Sequence, residues 1–133
     1  MTIAGTAVQR AADAMLHALG GDQIALVLPL PAAPTDPGTQ LGLSDPGVQQ
    51  VFISPVIVRR LLPPNTGPVQ RMEFLVSASA VADAVEEQGL ASPETLFDLV
   101  LGIQYQTDLF HVEHVTTDYF AGIAYLYHLI AVE

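Results

Sequence analysis

Three consecutive stretches decide the fold: Leu109-Phe110-His111-Val112-Glu113-His114-Val115, the spacer Thr116 to Gly122, and Ile123-Ala124-Tyr125-Leu126-Tyr127-His128-Leu129-Ile130-Ala131-Val132. Two apolar, aromatic-rich runs about a turn-prone spacer predict a β-hairpin over 109–115 and 123–132. Side chains alternate along a strand, so Phe110, Val112 and His114 are expected on one face and Leu109, His111, Glu113 and Val115 on the other. In the second run the faces read Ile123, Tyr125, Tyr127, Leu129 against Ala124, Leu126, His128, Ile130, Val132. Neither is polar, so this strand is expected centrally, covered on both sides by the chain or by a neighbouring subunit.

Working back from the hairpin, 103–106 reads as a short strand, and two helices precede it, over about 79–88 and 93–101. Ser77 or Ser79 caps the first; Ser92-Pro93-Glu94 opens the second with a capping hydroxyl, a proline at the first helical position and an acid in the first turn. The segment 69–76 alternates as a strand, antiparallel to a long one over 48–62 across the Pro63 to Pro68 connector. In that long strand Val51, Ile53 and Ile57 share one parity and Phe52, Val56 and Val58 the other, and Pro55 predicts a bend, a bulge or an edge. The stretch 31–47 is a loop with Asp-Pro-Gly turns at Asp36 and Asp45, and 23–30 is a strand ended by proline. A helix over 6–19 carries Val8, Ala11, Ala12, Met15, Leu16 and Leu19 on one stripe, with a capping box at Thr6 and Gln9 and a stop at Gly20-Gly21. This order predicts one α+β domain over 1–133: a small antiparallel β-barrel or strongly curved sheet, with an N-terminal helix and a helical insertion between strands.

The composition narrows the function by exclusion. Without cysteine the chain forms no disulfide, zinc ribbon or catalytic thiolate. Four basic residues, Arg10, Arg59, Arg60 and Arg71, stand against fourteen acidic ones, and a net charge of -10 with no lysine argues against binding nucleic-acid phosphates. No apolar run approaches the roughly 18 residues of a membrane span, so a cytoplasmic protein without membrane contact is expected. Only 14% of residues are charged, whereas designed domain surfaces want about 25–35%. Some apolar surface is therefore expected to meet a partner or a second copy of the chain.

No catalytic, cofactor or metal residues are expected. On an alternating strand His111 and Glu113 point away from His114, which argues against a metal site with Asp118 and His128. Asp108, Glu113 or Asp118 beside Tyr119, Tyr125 or Tyr127 would be an acid–base pair that nothing in the spacing singles out. The serines lack a nucleophile elbow, and Gly20-Gly21 is followed by no Lys-Ser or Lys-Thr of a phosphate loop. Arg59, Arg60 and Arg71 read either as ion-pair partners of Glu73 and other acids or, with Asp36 and Asp45 of the loop, as assembly contacts to an adjacent subunit. A rival reading is a cup-shaped ligand-binding or enzymatic domain whose pocket is lined by Phe110, His114, Tyr125 and Tyr127.

In element order the chain resembles the small head completion and head-tail joining proteins of tailed bacteriophages and prophages. The resemblance is carried by the N-terminal helix, the early strand leading into a long loop, the 48–62 strand, the segment Arg71 to Val81 with its helix, and the closing Phe110 to Val115 and Tyr125 to Ala131 hairpin. The large helical insertion and the Asp-Pro-Gly loop depart from that pattern. The resemblance implies a non-enzymatic virion subunit, an adaptor, stopper or tail-end protein, forming homo-oligomeric rings between portal and tail with neighbouring head or tail proteins as partners. The acidic charge suits a channel that repels passing DNA.

Overall fold

A computed structural model describes residues 3–19, 21–30, 47–61 and 70–133. Along them run helix α1 (Ile3–Leu19), strands β1 (Asp22–Pro29), β2 (Val48–Leu61) and β3 (Arg71–Ser77), helices α2 (Ala78–Glu87) and α3 (Pro93–Leu99), and strands β4 (Gly102–Tyr105), β5 (Asp108–Phe120) and β6 (Ile123–Val132). All strand pairs are antiparallel in the order β1-β2-β3-β6-β5-β4, and β4 pairs back onto β1 to close a barrel. The α+β reading holds, in its barrel form. Every strand thus has a neighbour on both sides over part of its length, while β5 beyond Phe110 is paired with β6 alone.

The barrel is filled by side chains. Ile24, Leu26 and Leu28 of β1, Val51, Ile53 and Val56 of β2, and Met72, Phe74 and Val76 of β3 meet Ile103, Phe110, Tyr127, Leu129 and Ala131 inside. Phe74 sits among aromatic edges, its ring centroid 5.8 Å from both Tyr105 and Phe110, in the T-shaped geometry that ring quadrupoles favour. Val81 and Ala84 of α2 and Leu96 of α3 join the same core, so the inserted helices close one end of it. Their starts are capped as expected: Ser77 Oγ accepts from the Ala80 amide at 3.1 Å, and Ser92 Oγ from the Thr95 amide at 3.3 Å. Ser79 instead donates to the Asp13 carboxylate at 2.8 Å, tying α1 to α2.

Three register shifts change which residues face inward. Between β1 and β2 the pairing steps from Ile24–Ile53 to Asp22–Val56, so Ser54 and Pro55 of β2 stand opposite Gln23 alone and β2 carries one extra residue there; the Ser54–Pro55 peptide bond is cis. Val51, Ile53 and Val56 therefore all reach the core, while Phe52 is exposed. The expected faces of this strand are corrected accordingly. In β5 the step from Val112–Ala131 to His114–Ile130 makes Glu113 an extra residue. His114 then shares the outer face with Ile130, and Val115, opposite Leu129, turns inward. In β6 the step from Asp118–Leu126 to Tyr119–Ala124 isolates Tyr125, which lies against α1 rather than inside with Tyr127. Each bulge shifts the two-residue alternation by one.

Two further expectations are corrected. The spacer 116–122 is mostly strand: β5 continues through Phe120, and only Ala121 and Gly122 turn, with φ of 53° and 78°. Positive φ at both central residues is what a tight two-residue hairpin turn demands, and alanine fits it poorly. Ala121→Asn is expected to stabilise the protein by about 0.5–1 kcal/mol, read as a higher urea midpoint at unchanged slope. Thr6 lies inside α1, which begins by Ile3, so it does not cap the helix. Of the predicted helix stripe, Ala12 and Leu16 are buried, whereas Ala11, Met15 and Leu19 are exposed. α1 packs on the outside of β2, β3 and β6, which accounts for the burial of Leu126 on the outward parity of β6. The connector 63–68 and the two Asp-Pro-Gly turns, apart from Gly47 with φ 88°, lie outside the described residues.

Candidate functional site

Closure gathers residues from separate strands onto one uncharged outer face. Gln50 and Phe52 of β2 lie beside Ala25 and Val27 of β1, Ala25 beside Gln104 of β4, and Gln104 beside Leu109 of β5. Phe52 is 62% exposed and Leu109 49%, with Val48 and Leu101 open nearby. Gln50 donates to the Gln104 side-chain carbonyl across β1, and with Gln23, Gln106 and Phe52 they line a hollow of about 220 Å³. Glutamine and apolar side chains without a charge among them are cheap to desolvate against protein, and charge depletion marks interface centres. An exposed phenylalanine flanked by other apolar residues is the kind of surface a monomer rarely keeps open.

The opposite side of the barrel has a different chemistry. In a closed order of six strands, β6 lies across from β1 and β3 across from β4. There an ion-pair ladder crosses β2, β3, β6 and β5. Arg59 Nε donates to Glu73 Oε1 at 3.0 Å, and Glu73 Oε2 lies 3.9 Å from His128 Nδ1. His128 Nε2 lies 2.7 Å from Asp118 Oδ2; a carboxylate accepts, so the proton is on Nε2. A second pair joins Arg71 to Glu113 through two hydrogen bonds of 3.0 Å, and this bonding, then the carboxylate charge, raises the affinity of the guanidinium for its proton. Beside the ladder, Val8, Ala11, Ala12 and Met15 of α1 form an apolar hollow with Tyr125.

Burial decides which of these pairs matters for stability. Glu73 is 8% exposed, and Glu73→Ala removes the buried carboxylate to which Arg59 donates while His128 keeps Asp118 and Arg59 is open to solvent, so it is expected to cost about 0.5–1.5 kcal/mol in chemical denaturation. Glu113→Ala, at an open site screened by solvent, is expected to leave the midpoint unchanged.

The predicted site residues separate. Arg59 and Arg71 are held by their own acidic neighbours, while exposed Arg60 makes no ion pair among the described residues. Asp36 and Asp45 lie outside the described residues. Of the expected pocket, Phe110 and Tyr127 are in the core, His114 is exposed on the outer face and Tyr125 lies against α1, so the four do not line one cavity. The bulge at Glu113 also puts His111 and His114 on the same outer face, contrary to the alternation argument. Among the described residues no group of three or more His, Asp and Glu side chains could hold a metal ion, and no helix is long and apolar enough to cross a membrane. Sequence reasoning missed the uncharged face because Phe52, Gln104 and Leu109 are far apart in the chain. The spare apolar residues and low charge were its visible signal. Comparison with protein-family models, curated proteins and solved structures found no match to this chain.

Proposed function

We propose that the chain is a non-enzymatic structural subunit of a tailed-phage or prophage particle, a head-tail connector or tail-end protein that assembles into rings. The observation that carries this reading is the uncharged outer face around Phe52 and Leu109, set across the barrel from the exposed apolar flank of α1. Two different patches on opposite sides are what a head-to-tail contact requires, and such contacts close into rings when the rotation per subunit allows. In this arrangement the Phe52 face of one copy packs on the α1 side of the next.

The charge distribution supports the same reading. The span Ala78–Leu99 carries Asp83, Glu86, Glu87, Glu94 and Asp98 and no basic residue, so the inserted helices bring only negative charge to their end of the barrel. Turned toward a channel, this end would repel a DNA backbone and keep it from adhering. The exposed aromatic tip of the β5–β6 hairpin, Tyr119 and Phe120, offers a contact to a neighbouring head or tail protein.

The reading is tested by sequencing the DNA on either side of the gene in its source. Portal, capsid or tail genes within a few reading frames are expected. A metabolic or regulatory operon would overturn the proposal.

A further inference from the structure

Between α3 and the strands β5 and β6 lies a cleft of about 250 Å³ lined by Glu94, Phe97, Asp98, Val115, Thr117 and Tyr127. Glu94 and Asp98 are four residues apart on α3 and so share one helix face. Thr117 and Tyr127 are opposite each other across β5 and β6. Tyr127 is only 5% exposed, and its hydroxyl, which has no hydrogen-bond partner among the described residues, is not sealed from solvent but opens at the cleft. The same holds for the Glu94 and Asp98 carboxylates and the Thr117 hydroxyl. Four polar groups thus converge on one space without satisfying one another, and no arginine or histidine lines it.

The chemistry of the lining selects the occupant. Two carboxylates demand positive charge, but they are too few for a metal, and no metal-ligating cluster occurs among the described residues. The rings of Phe97 and Tyr127, 5.1 Å apart at 57°, add an aromatic wall, which favours an organic cation over a hydrated ion. Burial first, then the negative charge of Glu94, pushes the Tyr127 phenol up, so its hydroxyl stays neutral and able to accept a hydrogen bond from a cation. We propose that this cleft binds an organic cation, an ammonium or guanidinium group on a short apolar stem. The charge sits between Glu94 and Asp98, the stem lies on Phe97 and Val115, and one N–H donates to the Tyr127 oxygen. The site is distinct from the uncharged face, and the inference does not rest on ring assembly.

The test is an NMR titration of the full chain with butylammonium, with capped arginine amide and with 1-butanol as the uncharged match. Saturable shifts confined to the amides of 94–98, 115–117 and 127 are expected with the cations and not with butanol. Glu94→Gln and Asp98→Asn, both at exposed positions, are each expected to weaken binding about five-fold. Tyr127→Phe keeps the ring and is expected to weaken it about five-fold through the lost hydroxyl. An arginine-containing tripeptide that binds more tightly than the capped amino acid identifies a protein side chain as the natural source; equal affinity identifies a free small molecule. The proposal is overturned if no cation gives a saturable shift by roughly 10 mM, weaker than any recognisable site. It is equally overturned if butanol binds as well as the cations, or if both charge-neutralising variants keep full affinity.

Discussion

Phe74→Ala is expected to destabilise the protein by about 3–5 kcal/mol, the range for truncating a fully buried aromatic residue. Phe74 is fully buried, it belongs to a core to which every strand of the barrel contributes, and its ring meets Tyr105 and Phe110 edge-on. The hole left by the ring opens between strands that hydrogen bonds hold at fixed spacing, so little of it can collapse. Set against a typical total stability of about 5–15 kcal/mol, the loss would bring the variant close to unfolding at ambient temperature. Thermal or urea unfolding followed by far-UV circular dichroism measures it. A loss under about 1 kcal/mol, as at an exposed site, would mean that the barrel interior is not the packed core described.

The second large effect falls on assembly and spares the fold. Phe52→Asp combined with Leu109→Asp places two carboxylates on a face that carries no charge. Phe52 is 62% exposed and Leu109 49%, so the monomer is expected to keep its stability within about 0.5 kcal/mol. In a subunit contact each position is desolvated, and losing a central apolar anchor while burying an unpaired charge is expected to weaken association by at least about 30-fold. Sedimentation of the chain against the double variant, each at a concentration where the proposed ring would form, reads this directly. Assembly that survives both substitutions would place the contact elsewhere on the barrel.

Much of the fold could be read from residue patterns, and the failures share one cause. Strand positions, helix positions and the caps Ser77 and Ser92 follow from local chemistry, which short windows contain. Facing does not, because alternation is a counting argument and one extra residue reverses it. The bulges at Pro55, Glu113 and Tyr125 each did so, and only Pro55 announced itself, through the amide it lacks. Hence the rival pocket reading turns His114 and Tyr125 inward, whereas both lie on the outside. The hairpin turn was misplaced for another reason: Asp118 and Gly122 suggested a loop, while Thr116, Thr117, Tyr119 and Phe120, all good strand residues, carried the ladder to Ala121.

Candidate sites were less legible than strands because they arise from closure. The uncharged face needs β1, β2, β4 and β5 side by side, and the cleft at Tyr127 needs an inserted helix set against the final hairpin. What the residues did show was an imbalance, half the chain hydrophobic and few charges to cover it. The exposed Phe52, Leu109, Leu101 and Leu19 are where that imbalance appears in space.

The most direct test of ring assembly is native mass spectrometry of the chain co-expressed with the products of the genes flanking its own. The account predicts a complex holding many copies of this 14.1 kDa chain, in a fixed number, on a head or tail protein, and its loss in the Phe52→Asp, Leu109→Asp variant. A chain that stays monomeric beside every neighbour, or an assembly indifferent to both substitutions, would contradict it.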